Sequence, residues 1–252
     1  MGDKSAIEWT DASWNPSTGC SKVSPGCRNC YAERLSARLR AMGNPKYTKG
    51  FKFTLHDDAL DLPLRWKTPR KIFVNSMSDL FHEQMPESFL QKCFEVMIQA
   101  DWHIYQVLTK RPDRMLDFSR RFGRIPDHIW LGTSVESALY NPRIDILREV
   151  DCRIKFVSFE PLLGPVGKVN LDGISWAIVG GESGPNYRPI EPEWVREIHR
   201  QCKKHKVAFF FKQWGGPRPK SGGRKLDGKE WNEYPVQKSN RAVAVFPTAM
   251  SK

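Results

Sequence analysis

Three cysteines in one short segment are the residues of this sequence best suited to chemistry. Cys20, Cys27 and Cys30 lie within eleven residues, and a segment with helical periodicity follows directly. Three thiolates suit a four-iron cluster with one iron open to a ligand, or a zinc ion that takes a fourth ligand from elsewhere. The nearest downstream histidines, His56 and His82, belong to no closely spaced ligand pair. The spacing therefore favours the iron–sulfur centre, and a zinc site remains the alternative.

The other three cysteines are interpreted as structural. Cys93 and Cys202 fall on apolar stripes with helical spacing, and Cys152 opens an apolar run. A free cysteine on such a stripe is most often a small buried hydrophobe. We therefore expect no chemistry from these three.

The composition indicates a globular protein with anionic partners. The 252 residues are 40% hydrophobic, and 40 Lys and Arg residues against 28 acids give a net charge of +12. Such an excess favours nucleic acid, nucleotides or other anions, although it also suits a basic enzyme surface. No apolar run approaches the ~20 residues that span a bilayer, and the N-terminus lacks the apolar core of a signal peptide. These features predict a cytoplasmic protein without a membrane segment, in which clustered thiols hold metal.

Short apolar runs alternate with helical patterns along the chain. Strands are predicted at 6–10, 51–55, 71–76, 104–109, 129–134, 154–159, 176–181 and 207–213. Helices are predicted at 30–42, 87–100, 112–121, 142–150 and 192–205. Eight strands in ~250 residues match a single-domain α/β (β/α)8-type TIM barrel, complete or partly open. A doubly wound open sheet is the alternative.

The helix at 30–42 carries an apolar stripe of Tyr31, Leu35, Leu39 and Met42. After Trp214 the chain becomes rich in Gly, Pro and Lys. We therefore predict a barrel domain at 1–214 and a C-terminal extension at 215–252 that packs on it.

Polar side chains follow most of the predicted strands at their C-terminal ends. In parallel α/β folds the ligand site lies at these ends, and the cysteine loop occupies the first of the connections there. The candidates are Ser76, Asp79, His82, Lys110, Arg111, Ser134, Glu136, Glu160, Glu182, Lys212, Gln213 and Trp214.

A cysteine triad in the first strand–helix loop resembles the radical SAM superfamily. That resemblance implies a four-iron cluster on Cys20, Cys27 and Cys30, whose free iron chelates S-adenosylmethionine. The spacing here is C-x6-C-x2-C in place of the superfamily's usual C-x3-C-x2-C, and Asn29 replaces the aromatic before the last cysteine. The Gly-Gly-Glu motif at 180–182 follows the seventh predicted strand, whereas the superfamily has it after the second.

A closer resemblance covers nearly the whole chain. The segments "NPSTGCSKVSPGCRNCYA", "NSMSDLFHEQMP", "QVLTKRPDR", "FVSFEPLLGP", "IVGGESGPNYRP" and "FFFKQWGG" are similar to the phage-associated three-Cys-motif family of radical SAM-like proteins. That family has no defined reaction, and some members have a neighbouring-gene partner protein. The resemblance implies an enzyme that also needs an external electron donor.

The radical SAM interpretation divides the strand-end residues into two groups. Cofactor binding is assigned to Ser134, Glu136, Glu160, Glu182, Lys212 and Gln213. Substrate binding is assigned to Ser76, Asp79, His82, Lys110, Arg111 and Trp214, of which the two cations suit an anionic nucleotide or nucleic-acid substrate. The competing hypothesis is a non-enzymatic, zinc-stabilised phage protein that binds nucleic acid or a partner. It leaves the acids and amides at the strand ends without a role.

Overall fold

Most of the apolar runs form one parallel sheet. The structure is a computed structural model that describes residues 5–236. The strands of the sheet are β1 (Ala12–Trp14), β2 (Lys71–Val74), β3 (Ile104–Thr109), β4 (Ile129–Ser134), β5 (Lys155–Phe159), β6 (Trp176–Gly180) and β7 (Ala208–Gln213). Continuous apolar sequences suit these strands because both of their faces are buried.

The strands are hydrogen-bonded in chain order, from β1 to β7, and every pairing is parallel. A doubly wound sheet reverses its order at a switch point, so that alternative is wrong. Within residues 5–236 no pairing joins β1 to β7. The chain therefore has a mixed α/β fold with a seven-stranded parallel half-barrel.

Two of the eight predicted strands are absent from this sheet. The run at 6–10 turns inward, where Trp9 is only 2% exposed, and β1 begins two residues beyond it. The run at 51–55 gives only Thr54–Leu55, which pairs antiparallel with Ser17–Thr18. Both runs are apolar because they pack against the ends of the half-barrel. An apolar run that packs against a sheet has the same local sequence pattern as a strand buried within it, so the sequence does not distinguish the two.

All five predicted helices form. They are α1 (Tyr31–Ala41), α3 (Glu87–Gln99), α4 (Pro112–Phe122), α5 (Pro142–Glu149) and α6 (Pro192–His205), and a short helix, α2 (Leu62–Arg65), precedes β2. Among the described residues this gives six helices, two fewer than a complete barrel requires. Single turns lie at Pro25–Cys27, Pro45–Tyr47, Asp57–Ala59 and Ala138–Tyr140. No described helix is long and apolar enough to cross a bilayer.

The two faces of the sheet bury different kinds of side chain. Helices α3 to α6 pack on one face, where Cys93, Cys152 and Cys202 all belong to the buried core. Burial raises the pKa of each of these thiols, as expected for structural cysteines. The concave face instead holds a cluster of large aromatic rings, including Trp9, Phe156 and Trp176.

The composition of the concave face changes along the strands. Because successive side chains alternate between faces, residues two apart share the concave side. In β5 this series runs from Phe156 through Ser158 to Glu160, and in β7 it runs from Phe210 to Lys212. The half-barrel therefore has an aromatic floor at the N-terminal ends of its strands and a charged rim at their C-terminal ends.

Helix α1 packs differently from the prediction. Its buried residues are the small Ala32 and Ser36, whereas Tyr31, Leu35 and Met42 of the apolar stripe are 50%, 39% and 69% exposed. The helix packs against the turn at Pro45–Tyr47, and Ala32 lies in a small buried cluster with Tyr47 and Met77. Of the predicted stripe, only Leu39 packs against this buried cluster, and the other three side chains are largely exposed.

The described part of the tail lies along the free edge of β7. Its only strands are the short hairpin at Lys225–Leu226 and Lys229–Glu230. Beyond the hairpin, the Trp231 carbonyl accepts from the Phe211 N–H and the Glu233 N–H donates to the Phe209 carbonyl. An edge covered in this way is not available for pairing with β1. Of the predicted extension, residues 237–252 lie outside the described residues, and the domain division stays a prediction.

The aromatic floor provides a test of the fold. Phe156 is fully buried, so Phe156→Ala should lower the free energy of unfolding by about 3–5 kcal/mol through lost burial and a cavity. Leu139, which is 75% exposed, is the control, and Leu139→Ala should stay within about 0.5 kcal/mol. Equal effects in urea unfolding would contradict the assignment of Phe156 to a packed floor.

Candidate metal and cofactor site

The cysteine loop lies over the charged rim, between β1 and α1. Gly19 opens it with φ of +80°, and a Cβ atom there would lie 2.2 Å from the Lys52 carbonyl oxygen, so only glycine fits. Cys20, Cys27 and Cys30 are free thiols and are all partly buried. Three polar side chains between and beside these cysteines fasten the loop to the rim.

The first attachment joins Ser21 to the connection after β2. The Ser21 hydroxyl donates to Glu83 Oε1 at 2.6 Å, and Arg111 donates both to Glu83 Oε2 at 3.1 Å and to the Ser21 hydroxyl at 2.7 Å. Arg111 also lies 3.0 Å from Asp79 Oδ2 and 3.7 Å from Cys20 Sγ. Arg111 and Asp79, both predicted to bind substrate, are thus engaged in holding Cys20.

The second attachment joins Ser24 to the connection after β4. Its hydroxyl donates to Glu136 Oε1 at 2.6 Å, and Arg143 contacts the other carboxylate oxygen at 3.0 Å. Lys110 lies 3.4 Å from Oε1, so the fully buried Glu136 has two cationic neighbours. Gly26 packs directly on this carboxylate, because a Cβ atom would lie 2.4 Å from Oε1.

The third attachment joins Asn29 to the loop after β6. The Asn29 amide donates to Glu182 Oε2 at 2.8 Å, and Arg188 binds both oxygens of that carboxylate, at 3.0 and 2.6 Å. Arg188 reaches the loop as well, since it donates to the Pro25 carbonyl at 3.0 Å.

The three attachments share one design. Each pairs a loop side chain with a carboxylate, and each carboxylate with an arginine: Ser21–Glu83–Arg111, Ser24–Glu136–Arg143 and Asn29–Glu182–Arg188. Glu136 and Glu182 are buried, and a buried carboxylate without its cation would cost about 3–5 kcal/mol, so these two sets are maintained as units. Glu83 is exposed, and its set depends on hydrogen bonds at the surface. We call these sets the three loop anchors.

The pKa values of the anchor carboxylates agree with this geometry. The hydrogen bond from Ser21 holds the pKa of Glu83 at about 2. Burial opposes ionisation of Glu182, but hydrogen bonds from Arg188 and Asn29 outweigh it, and its pKa is lowered. Both groups are therefore ionised at neutral pH, as an ionic anchor requires.

His82 supports the first anchor. Its Nε2 lies 3.1 Å from the Ser21 hydroxyl, and its ring stacks on Phe53 with centroids 4.3 Å apart. Burial, and then the charge of Arg111, lower its pKa, so the ring is neutral at pH 7. His56 Nε2 lies 2.8 Å from the Thr18 hydroxyl. Neither histidine is placed as a fourth ligand for the cysteines.

Glu160 and Lys212 form a separate ion pair on the concave face. Their side chains are 2.6 Å apart, and each is about one-fifth exposed. Gly180 lies opposite, where a Cβ atom would be 3.2 Å from the Glu160 carboxyl carbon. Ser134 is buried on β4 of the same face. The acids Glu136 and Glu182 were also predicted to bind the cofactor, but they belong to loop anchors. The Glu160–Lys212 pair does not.

The other predicted residues hold neighbouring loops. Gln213 donates to the Gly181 carbonyl and accepts from the Lys220 N–H, and Trp214 donates to the Lys225 carbonyl. The Ser76 hydroxyl donates to Asn15, while its carbonyl accepts from the Tyr31 hydroxyl. These contacts do not test the ligand roles, which stay predictions.

Sequence reasoning missed the loop side chains and two of the three anchor arginines, Arg143 and Arg188. Ser21, Ser24 and Asn29 are ordinary loop residues, and only their positions beside the cysteines could have indicated a role. Tyr31 was also missed. Its ring is half exposed, while its hydroxyl lies buried at the rim, and burial raises the pKa of that hydroxyl.

The thiols themselves are not grouped around a single point. Within residues 5–236 no three His, Cys, Asp or Glu side chains are placed to hold one metal ion. Burial, and then the charge of Asp79, raise the pKa of Cys20 to about 11 against the opposing effect of Arg111. A cavity of about 620 Å³ lies at the opposite end of the strands, beside His199 and Glu233, and no predicted site residue lines it.

The close contact of Gly26 with Glu136 gives a test of the second anchor. Gly26→Ala should lower the free energy of unfolding by about 1–3 kcal/mol, because the new methyl group displaces a buried carboxylate. Gly164→Ala is the control, since its Cβ would meet Ser137 at an ordinary 3.5 Å. Urea unfolding that ranks the two variants equally would contradict the packing described here.

The low pKa of Glu83 predicts a pH-dependent contribution to stability. Folding favours the ionised form, so the contribution is complete above about pH 5 and is lost as the pH falls towards the folded-state value of about 2. The difference in urea midpoint between the native protein and Glu83→Gln should therefore shrink as the pH is lowered from 6 to about 3. A difference that stays constant over that range would show that Glu83 is not an ionic anchor.

Comparisons with known proteins identify a family but no activity. No curated protein matches the chain. Among solved structures, a mutant of spore photoproduct lyase with bound AdoMet and a dinucleoside spore photoproduct is similar over 77% of this chain, at 13% identity and a TM-score of 0.43. These values are too low to establish a shared fold, and the chain spans 62% of that protein's length. Residues 4–235 match the model of the family described as "Protein of unknown function (DUF5131)", and the chain therefore belongs to that family.

Proposed function

We propose that the chain is a radical SAM-like enzyme in which Cys20, Cys27 and Cys30 bind a four-iron cluster. The observation that carries the proposal is the cysteine loop itself. Its three partly buried free thiols lie on one loop that three ionic anchors fix over the C-terminal rim of a parallel half-barrel. Ligand sites of parallel α/β folds lie at this rim.

The donor set fits an iron–sulfur cluster better than a single zinc ion. Thiolates are the ligands of iron–sulfur clusters, and three of them leave the fourth iron open. In such a cluster each cysteine binds a different iron, so its ligands do not meet at one point. A zinc site needs four ligands around one ion, and the described residues offer no such group.

The bound cluster would supply an electron for cleaving S-adenosylmethionine, and the resulting 5′-deoxyadenosyl radical would abstract hydrogen from a substrate. The chain's own residues bind and orient. We assign the amino-acid end of S-adenosylmethionine to the Glu160–Lys212 pair, because Glu160 can accept from an ammonium and Lys212 can donate to a carboxylate. Tyr31, with its hydroxyl on the Ser76 carbonyl, shields that edge of the rim from water.

The remaining assignments are parts of the same proposal. Ser134 and Gln213 line the cofactor side, and Ser76, His82, Lys110 and Trp214 the substrate side. Four of the predicted residues act chiefly by fixing the cysteine loop in this scheme. They are Asp79 and Arg111 from the predicted substrate group and Glu136 and Glu182 from the predicted cofactor group. The substrate is an anionic nucleotide or nucleic acid, consistent with the net charge of +12. An external electron donor, a neighbouring-gene partner, a phage origin and a cytoplasmic location stay predictions.

Anaerobic reconstitution tests the proposal. The purified chain should bind about four irons per protein, turn brown, and form 5′-deoxyadenosine when reduced with S-adenosylmethionine. Cys20→Ala, Cys27→Ala and Cys30→Ala should each lose most of the iron and the product. Cys93→Ala is the control, because Cys93 is fully buried in the helix-covered core and should affect only stability. A colourless protein that carries one zinc would overturn the proposal.

A further inference from the structure

Positive charge is concentrated beside the cysteine loop. Residues 20–52 contain eight Lys and Arg residues and a single acid, Glu33. That acid is already occupied, since it lies 2.9 Å from Lys22. This segment therefore contributes more than half of the chain's net charge of +12.

Five of these cations are exposed and have no carboxylate partner among the described residues. They are Arg28, Arg38, Arg40, Lys49 and Lys52, which we call the basic face. Most other arginines behave differently: Arg120, Arg121 and Arg200, for example, each lie within 3 Å of a glutamate. Cations that stay unneutralised in one region of the surface favour an anionic partner there.

The basic face borders the rim of the half-barrel. The Cys20 N–H donates to the Phe51 carbonyl at 3.3 Å, which joins the 48–52 loop to the cysteine loop. A Cβ atom on Gly50 would lie 3.7 Å from the Arg40 guanidinium, so this loop also meets the end of α1. One turn before Arg38 on α1, Arg34 donates to the Ser183 carbonyl at 2.6 Å, so the helix also meets the loop after β6. A strand bound here would pass directly over the proposed site.

Exposed aromatic rings accompany these cations. Tyr31 is 50% exposed and Tyr187 is 38% exposed. Tyr187 lies next to Asn186, whose carbonyl accepts from Asn29 of the cysteine loop. Exposed aromatic faces among unpaired cations are how proteins hold single-stranded nucleic acid, because unpaired bases stack on them while the phosphates meet the charges. A duplex offers no free base faces for such stacking.

We infer that the basic face, together with Tyr31 and Tyr187, binds single-stranded nucleic acid across the mouth of the half-barrel. The inference deepens the proposed function, and it rests on that function only for what is done to the bound strand. Binding itself requires the cations and rings named here, with or without a metal centre.

Fluorescence anisotropy of the full chain tests the inference. The probe is a labelled single-stranded DNA of mixed sequence, about 20 nucleotides long, which exceeds the ~4–16 nucleotides of typical single-strand sites. The triple variant Arg28→Gln, Arg38→Gln, Arg40→Gln should bind about tenfold more weakly or worse, and its plot of log affinity against log salt should be flatter by about 2. Tyr187→Ala should lose about fivefold or more at an unchanged salt slope.

Two control variants distinguish binding at the basic face from binding that depends only on the net positive charge of the chain. The first control is the triple variant Lys92→Gln, Lys168→Gln, Lys204→Gln. It removes three exposed cations outside the basic face and should bind the strand as tightly as the native chain does. The variant Arg28→Lys, Arg38→Lys, Arg40→Lys keeps the charge and should retain most of the affinity. Circular dichroism checks that each variant is folded.

The inference would be overturned if the native chain showed no salt-dependent binding, or if the triple glutamine variant bound the strand with native affinity. It would also be overturned if the native chain bound a duplex as tightly as the single strand. A fourth contradicting result would be a native dimer in sedimentation that the triple glutamine variant abolishes, because the basic face would then be a dimer interface. The iron content of the same samples distinguishes the two proposals. Protein without iron that binds the strand contradicts only the proposed function. Protein with iron that ignores the strand contradicts only this inference.

Discussion

Three carboxylates, each neutralised by an arginine, determine where the cysteine loop lies, and two of them, Glu136 and Glu182, are buried. Glu136 and Glu182 follow the ends of β4 and β6, Glu83 lies in the connection between β2 and α3, and each accepts a hydrogen bond from the loop. A loop of this length has little apolar surface of its own to bury, so ionic hydrogen bonds must fix its position. Because the anchors come from β2, β4 and β6 or the connections after them, the loop spans most of the half-barrel.

This arrangement depends on the alternation of side chains along parallel strands. The concave face begins with rings such as Phe156 and Trp176, which fill the N-terminal half of the half-barrel. Two and four residues further along, the same series brings Ser158 and Glu160 to the rim. The floor supplies the apolar burial that stabilises the sheet, and the charged groups are thereby confined to one end. A rigid floor beneath a charged rim is the arrangement that a loop-borne site requires.

The sequence predicted the helices and six of the seven sheet strands because their apolar periods are regular. It also placed Glu136, Glu160 and Glu182 correctly at strand ends, since the position of a strand end follows from the pattern alone. The pattern could not reveal which of these acids would be bound to the loop, because Ser24 and Asn29 are more than 100 residues away in sequence from Glu136 and Glu182. Trp9 was assigned to a strand, and Leu35 and Met42 to a buried stripe, for a related reason: an apolar side chain predicts burial, but the sequence does not show what it packs against.

The account as a whole depends on a cluster with one iron open to a small ligand. The most direct measurement is electron paramagnetic resonance of the anaerobically reconstituted, reduced chain, with and without S-adenosylmethionine. We expect the signal of a reduced four-iron cluster whose shape changes when S-adenosylmethionine is added, because the ligand binds at the open iron. A signal that S-adenosylmethionine leaves unchanged, or the lack of any cluster signal in a folded protein, would contradict the account.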